Sequence, residues 1–369
     1  MTELLSNPKN GQWRLARTPP EGWPSPEDFA FHEEALPEPD DGQCLTQTLY
    51  LSLDPYQWGR RRSGTEQPGD ICHGRTVSQV VASRTDEFSP GDYLFNTNGW
   101  QGYGLTGRGI DVFGYMFPRR LDPSLAPIST ALGVMGMLGL TAYSGLIVQC
   151  EPQPGETVVV SAASGGVGQV AGQLAKLKGC RVVGITSTPE KCALVSEELG
   201  FDAAVSHLGE GLAERLAAVC PDGIDVYFEN VGGPVFEAVL PLLNARSRIT
   251  VCGMISQYGN TDGRPAAEVW QATGQPFFDR QSVNVHGLFV GNFVADYQDR
   301  FLNEMAGWIR DGHIVYREDV WRGLEHAPVA FREMLRGGNV GKTLVAVADD
   351  PSREQGAEGF TTVRRERDA

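Results

Sequence analysis

The sequence predicts an α/β protein in which a doubly wound parallel sheet is inserted between two pieces of a β-rich domain. Three observations predict it. Residues 1–125 hold short apolar runs separated by Pro- and Gly-rich turns; from about 126 short buried strands alternate with amphipathic helices; after about 298 shorter elements return. Strand–helix alternation requires a parallel sheet covered on both faces. Runs rich in β-branched and aromatic residues between turns suit a partly open barrel or sandwich of antiparallel strands.

Taken in order, CLTQTLYLSL, TVSQVVAS and DYLF read as strands bounded by PEPDDG, SPGD and TNGWQG. LGVMGMLGLTAYSGL is helix-like, and PQPGETVVVSAAS then delivers a short buried strand. GGVGQVAGQLAKLKG follows as a helix with an apolar face at Val170, Leu174 and Leu177. RVVGITS is a second strand, PEKCALVSEELG a second helix and DAAVS a third strand. The alternation continues through IDVYFENVG, VFEAVLPLLN, SRITVCGMIS and VNVHGLFVGNF. Beyond it FLNEMAGWIRDG and HAPVAFREMLRGG read as helices, IVYRED and TLVAV as strands. The divisions are 1–128 and 299–348 for the β-rich domain, 129–298 for the parallel-sheet domain, and 349–369 for a charged tail. The tail is poor in apolar groups, which predicts disorder; packing on a partner subunit is the other reading.

The 369 residues can build two cores, and 41% hydrophobic with 21% charged residues is ordinary for a globular chain. A net charge of −15 argues against nucleic acid or an acidic membrane surface as partner. No apolar run reaches the roughly 18 residues of a membrane span, and MTELLSNPKNGQWRLAR lacks the apolar core of a signal peptide. Seven scattered cysteines, an odd number, predict no disulfide framework and a cytoplasmic setting.

The sharpest local signal is Ala163-Ser164-Gly165-Gly166-Val167-Gly168, between a strand and an amphipathic helix. It is a dinucleotide fingerprint with Ala in the first glycine position. Gly165 allows backbone to approach a pyrophosphate, Gly168 allows close helix–strand packing, and the helix N-terminus supplies N–H groups. An NAD enzyme places Asp or Glu at the end of the second strand. Here the strand ends Gly184-Ile185-Thr186-Ser187, with Lys191 one turn on. Hydroxyls plus an ammonium suit a 2′-phosphate, so NADPH (NADP) is the expected cofactor. Glu190, beside Pro189, is expected to face solvent.

With these residues in view, the sequence resembles the zinc-independent medium-chain dehydrogenase/reductases, in the leukotriene B4 dehydrogenase, prostaglandin reductase and curcumin reductase (alkenal double-bond reductase) group. The resemblance covers roughly 10–347 through QWRLA, LYLSLDPYQWGR, LGVMGMLGLTAY, AASGGVGQVAGQLAKLKGCRVVGI, ENVGG, CGMISQY and LRGGNVGKTLV. It implies a GroES-like β-rich catalytic domain, an inserted Rossmann domain and a homodimer, with VNVHGLFVGNF as an edge strand suited to the contact.

The resemblance assigns Lys191 to the 2′-phosphate and Asn230 and Asn339 to the cofactor cleft. It assigns Tyr258 to the substrate carbonyl and Tyr56 to the loop bordering the substrate pocket. Cys252 and Phe289 join the cofactor set, although Cys252 also reads as a small buried hydrophobe. Three departures stand out. His207 replaces a tyrosine near the adenine-ribose phosphate, Trp58 replaces an arginine in the DPYQWGR block, and YGN follows where YN is usual. The last two are expected to touch the substrate pocket.

A catalytic metal is not expected. No CxxC occurs, Asp54-Pro55-Tyr56 occupies the loop of the first zinc ligand in zinc-dependent relatives, and the adjacent Cys72-His73 pair is too cramped for a ligand set. No GxSxG elbow occurs, so hydrolysis fits poorly. Tyr143 reads as core packing or a wall of the nicotinamide pocket. The expected chemistry is hydride delivery to the β-carbon of an enone or enal, with Tyr258 holding the enolate oxygen and either Tyr258 or water protonating the α-carbon. The alternatives are a quinone or carbonyl reductase on the same scaffold, and an NADPH-binding protein without turnover.

Overall fold

The computed structural model describes residues 9–112, 114–261, 263–353 and 362–367. Residues 1–8 and part of the charged tail (354–361 and 368–369) lie outside the described residues.

β1 (Lys9–Leu15) and β2 (Phe29–Ala35) pair antiparallel as a two-stranded ribbon. β3 (Gln43–Ser52), α1 (Tyr56–Arg62), β4 (Thr76–Ser83), β5 (Tyr93–Asn96), β6 (Tyr103–Gly107) and β7 (Arg119–Leu121) follow. α2 (Met137–Tyr143) leads into β8 (Thr157–Ser161), α3 (Gly168–Leu177), β9 (Arg181–Thr186), α4 (Pro189–Ala193) and β10 (Ala203–Ser206). α5 (Leu212–Val219), β11 (Ile224–Glu229), α6 (Gly233–Val239), β12 (Leu243–Val251), α7 (Ala266–Gln281) and β13 (Asn284–Gly287) continue the alternation. α8 (Val294–Arg310) returns the chain to β14 (Tyr316–Arg322), α9 (Ala327–Leu335), β15 (Lys342–Ala346) and β16 (Thr362–Arg367).

The later strands form a six-stranded parallel sheet in the order β10-β9-β8-β11-β12-β13. The chain winds outward in both directions from the β8/β11 boundary, so helices on opposite faces diverge there and leave a crevice at the carboxyl ends of the strands. β8 is buried along its whole length, as a strand covered on both faces must be. Val170 and Leu174 of α3 enter the core cluster on one face of this sheet. Leu177, predicted on the same apolar face, is 38% exposed; it is the helix's last residue and lies past that cluster.

The second sheet runs β16-β14-β15-β3-β4-β5-β7, with β6 on β3. It is mixed: β14 lies parallel to both β15 and β16, while β3 pairs antiparallel with β15, β4 and β6. The charged tail corrects the expectation of disorder over Thr362–Arg367. β14 carries two buried carboxylates, Glu318 and Asp319. Arg364 donates from Nε to Glu318 at 2.7 Å, and Arg367 forks onto Asp319 at 2.9 and 2.8 Å. Buried carboxylates demand countercharge, and the arginines of the tail supply it. Composition alone hides this, because the partners lie on another element.

All seven cysteines are free thiols. Among the described residues no helix is long and apolar enough to cross a membrane.

Candidate functional site

After β8 the chain turns through Ala162 (φ 49°) before α3 begins at Gly168. A Cβ on Gly168 would lie 2.3 Å from the Ala162 carbonyl oxygen, and one on Gly166 2.3 Å from the Leu138 side chain. Both positions therefore require glycine for packing. A Cβ on Gly165 would meet nothing nearer than the Ala162 oxygen at 3.1 Å, so backbone there stands open to the crevice. Ser164, Gly165, Gly166, Val167 and Gly168, at the head of α3, all line the crevice.

Along the sheet toward β10, the Ser164 and Thr186 hydroxyls lie 2.8 Å apart. Ser187 follows, and Lys191 sits on α4, whose N-terminus is capped by Thr188. Lys191 Nζ donates to the Gly337 carbonyl at 2.6 Å. Burial, and then the nearby Arg365, lower its pKa. Glu190 is exposed, as expected. His207 is anchored by its N–H to the Thr186 carbonyl at 2.8 Å, and burial lowers its ring pKa. In the other direction Asn230 closes β11, its Nδ2 donating to the Ser161 carbonyl at 2.7 Å. Cys252 follows β12, its thiol pushed up to about 12 by burial and by Glu229. Tyr258 ends a short helical turn; burial, then Cys252, raise its pKa.

The β-rich part supplies the opposite wall. Gly341 donates to the Ser164 carbonyl at 2.8 Å, and Asn339 Nδ2 braces the Gly341 carbonyl at 2.9 Å. Tyr56 heads α1, with its hydroxyl 2.9 Å from His73 Nε2. Tyr115 of this wall meets Phe289, which follows β13 of the parallel sheet, edge-on at 5.7 Å between ring centroids. Every residue predicted for the site lines one cleft of about 720 Å³, so the structure brings them into a single cavity.

The departures resolve differently. His207 lines the cleft. Trp58 does not: it is buried, and its Nε1 donates to the Gly22 carbonyl at 2.9 Å. An indole in place of an arginine turns into the core, and so the expectation that it touches the pocket is corrected. Gly259 does bear on the cleft, because a Cβ there would lie 2.1 Å from the ring of Trp23, which lines it. Tyr143 is core: its hydroxyl donates to Glu304 at 2.9 Å, and it is not among the lining residues. The Cys72 thiol is pushed up to about 12 by burial, and the His73 ring nitrogen is occupied by Tyr56. Among the described residues no group of three or more His, Cys, Asp or Glu has metal-binding geometry.

Sequence reasoning missed two buried charge centres. Glu229 accepts hydrogen bonds from Ser161, Tyr227, Trp270 and the N–H groups of Val231 and Gly232, fixing the turn that carries Asn230. Burial raises its pKa. Asp54 meets Lys342 at 2.9 Å and Arg75 at 2.6 Å, just before Tyr56. Burial alone would raise the Asp54 pKa, but Arg75 and Lys342 hold it well below the carboxylate range. Burial lowers Lys342 to about 8. ENVGG and GGNVGK contained the signal, a charged residue inside an apolar or glycine block.

A glycine-lined backbone opening at a helix N-terminus, a hydroxyl pair and an ammonium fit a dinucleotide bearing a 2′-phosphate. Comparison with known proteins agrees. Residues 11–111 match the family described as N-terminal domain of oxidoreductase, and 166–307 the family described as zinc-binding dehydrogenase. The chain is 41% identical to the NADPH-dependent curcumin reductase of Escherichia coli (strain K12), covering 93% of this chain and 98% of that protein. It is 38% identical to prostaglandin reductase 1 of Mus musculus, over 88% and 95% of the two chains. The crystal structure of CurA in complex with NADPH from Vibrio vulnificus superposes with a TM-score of 0.83 at 40% identity, covering 92% of this chain and all of that one.

Proposed function

The chain belongs to the medium-chain dehydrogenase/reductase family, in the curcumin reductase and prostaglandin reductase group, and from that premise we propose that it reduces the carbon–carbon double bond of α,β-unsaturated carbonyl compounds. It is an NADPH-dependent oxidoreductase. The observation that carries the proposal is the Tyr258 phenol on the wall of the same cleft as the open Gly165 backbone.

NADPH, when bound, supplies the hydride. The protein's part is to hold and to stabilise. The Gly165–Gly168 turn would hold the pyrophosphate, and Lys191, Thr186 and Ser187 would hold the 2′-phosphate. Asn230 and Asn339 would border the nicotinamide half. As hydride reaches the substrate β-carbon, charge gathers on the carbonyl oxygen, and the Tyr258 hydroxyl donates to that oxygen. Its raised pKa keeps it a neutral donor at pH 7. The α-carbon then takes a proton from Tyr258 or from water. Tyr56 is held by His73 and lies on the cleft wall as a shaping residue.

We assign the cofactor-binding domain to 129–298, with 1–128 and 299–348 forming the catalytic domain. A homodimer joined through the outer edge of β13, where Val285 is exposed, fits the same reading. The test is NADPH oxidation with enones, enals, quinones and saturated ketones, with products identified by mass. Saturated products retaining the carbonyl support the proposal. Alcohols or hydroquinones would favour a carbonyl or quinone reductase, and tight NADPH binding without turnover would favour a binding protein.

A further inference from the structure

β16 reaches the cofactor cleft through one short chain of contacts. Arg367 donates from Nε and Nη2 to both oxygens of Asp319, and from Nη2 to the Gly338 carbonyl at 2.7 Å. Asp319 is fully buried, and its Oδ2 also accepts the Val340 N–H at 3.2 Å. One carboxylate thus ties the tail strand to the loop 337–341. That loop holds Lys191 through the Gly337 carbonyl, lines the cleft with Gly337, Asn339 and Gly341, and bonds the fingerprint through Ser164.

Arg365 is the residue of β16 paired with Asp319 in the ladder, with Nε 3.7 Å from Oδ1 and a side chain 48% exposed. Arg365 thus stands beside the carboxylate that accepts the Val340 N–H of the loop holding Lys191; burial, then Arg365 and Arg367, lower the Lys191 pKa, and Asp319 opposes them. In a chain of net charge −15, this is a local gathering of cations at the cleft's Lys191 end.

We propose that the C-terminal strand is part of the cofactor site and sets its preference for a 2′-phosphorylated dinucleotide. Arg367 is a positioning residue that fixes the 337–341 loop and, through it, Lys191. Arg365 adds positive potential where the 2′-phosphate arrives. The proposal rests on the assignment of Lys191 to that phosphate.

A dianionic phosphate gains from each added cation, while a 2′-hydroxyl gains almost nothing. One partly exposed cation contributes roughly 0.5–1 kcal/mol, about a two- to fivefold change in Kd. The test is equilibrium binding of NADPH, NADH and adenosine 2′,5′-bisphosphate, followed by calorimetry, with thermal unfolding as a control on folding. The variants are Arg365→Ala, Arg367→Ala and Arg367→Lys, with Lys191→Ala alongside. Arg365→Ala is expected to weaken NADPH and the bisphosphate and to leave NADH unchanged. Arg367→Ala is expected to lower the NADPH-over-NADH preference further, because the loop loses its anchor. Arg367→Lys should recover only part, since an ammonium cannot fork onto Asp319. If both arginine variants weaken NADPH and NADH equally, or change neither, the strand is only a brace and the proposal is overturned. If Lys191→Ala itself leaves the preference intact, the phosphate assignment fails instead. Preference lost in Lys191→Ala but kept in both arginine variants overturns the tail proposal alone.

Discussion

Lys342 Nζ lies 2.9 Å from Asp54 Oδ1 and 2.6 Å from the Leu53 carbonyl, in a pair almost fully withdrawn from water. The residues stand 288 positions apart, so the contact pins the segment leading to Tyr56 against the strand that follows Asn339 and Gly341. Arg75 completes the site on the other carboxylate oxygen, and Ser52 donates to the same oxygen at 2.5 Å.

The two sides of this centre are unequal. Lys342→Met leaves Asp54 with Arg75 and Ser52, so the carboxylate keeps a countercharge. Asp54→Asn leaves two buried cations facing each other. Removing one partner of a buried pair costs about 3–5 kcal/mol, and Asp54→Asn is expected in that range with Lys342→Met below it. Urea unfolding of the two variants checks the order, and equal losses would show that Arg75 does not share the carboxylate.

A second expectation concerns pH. Burial, then Arg60, Arg75 and Arg61, lower His73 to about 3 from an ordinary 6.5. Between those values the unfolded chain binds a proton that the folded one refuses. The His73 contribution is therefore complete above pH 6.5 and is lost progressively as pH falls toward 3, by at most about 1.4 kcal/mol per pH unit. Unfolding free energies of wild type and His73→Gln should converge or cross as pH falls through this window. A difference independent of pH would mean that His73 takes up its proton equally readily in the folded and the unfolded chain.

How much of this was legible follows from where each signal lay. β8 and α3 could be read because the Val158–Val160 run, the glycine turn and the Val170–Leu174 spacing are local. α7 was missed: its buried residues Trp270, Gly274 and Phe278 form a single row, and Gly274 and Pro276 read as breakers. Gly274 is required there, because a Cβ would lie 2.2 Å from the Phe278 ring. The cleft residues were legible through the fingerprint and the family resemblance. Asp54 and Arg75 were not, and Lys342 showed only as a charge at the end of a glycine block, because the partners of a buried charge are brought together by the fold alone.

Glycine tests separate strain from contact in the loop 337–341. Gly337 and Gly341 both have φ 76°. A Cβ on Gly337 meets nothing within 4 Å, whereas one on Gly341 would lie 2.1 Å from the Arg317 carbonyl oxygen. A non-Gly residue in the left-handed region costs roughly 1–3 kcal/mol, and Gly337→Ala should show no more than that. Gly341→Ala must also displace backbone, taking its N–H off the Ser164 carbonyl. It is expected to lose more stability and to weaken NADPH binding clearly, as melting temperature and calorimetric Kd would report. Equal behaviour of the two variants would show that contact with the fingerprint turn is dispensable.

Tyr258→Phe probes the proposed chemistry directly. The ring packs against the cluster that includes Trp58 and Phe331, so phenylalanine keeps the packing and removes only the hydroxyl. Tyr56 is not a ready substitute, because its hydroxyl is engaged with His73. An interaction made mainly with the charge of the transition state lowers kcat and kcat/KM together. Losing one such donor typically costs about 10²–10³ in rate, with Kd for NADPH unchanged. Retained kcat in Tyr258→Phe would remove Tyr258 as the donor and turn attention to water or a cofactor hydroxyl. A rise in KM alone would mean that the phenol binds substrate and transition state equally.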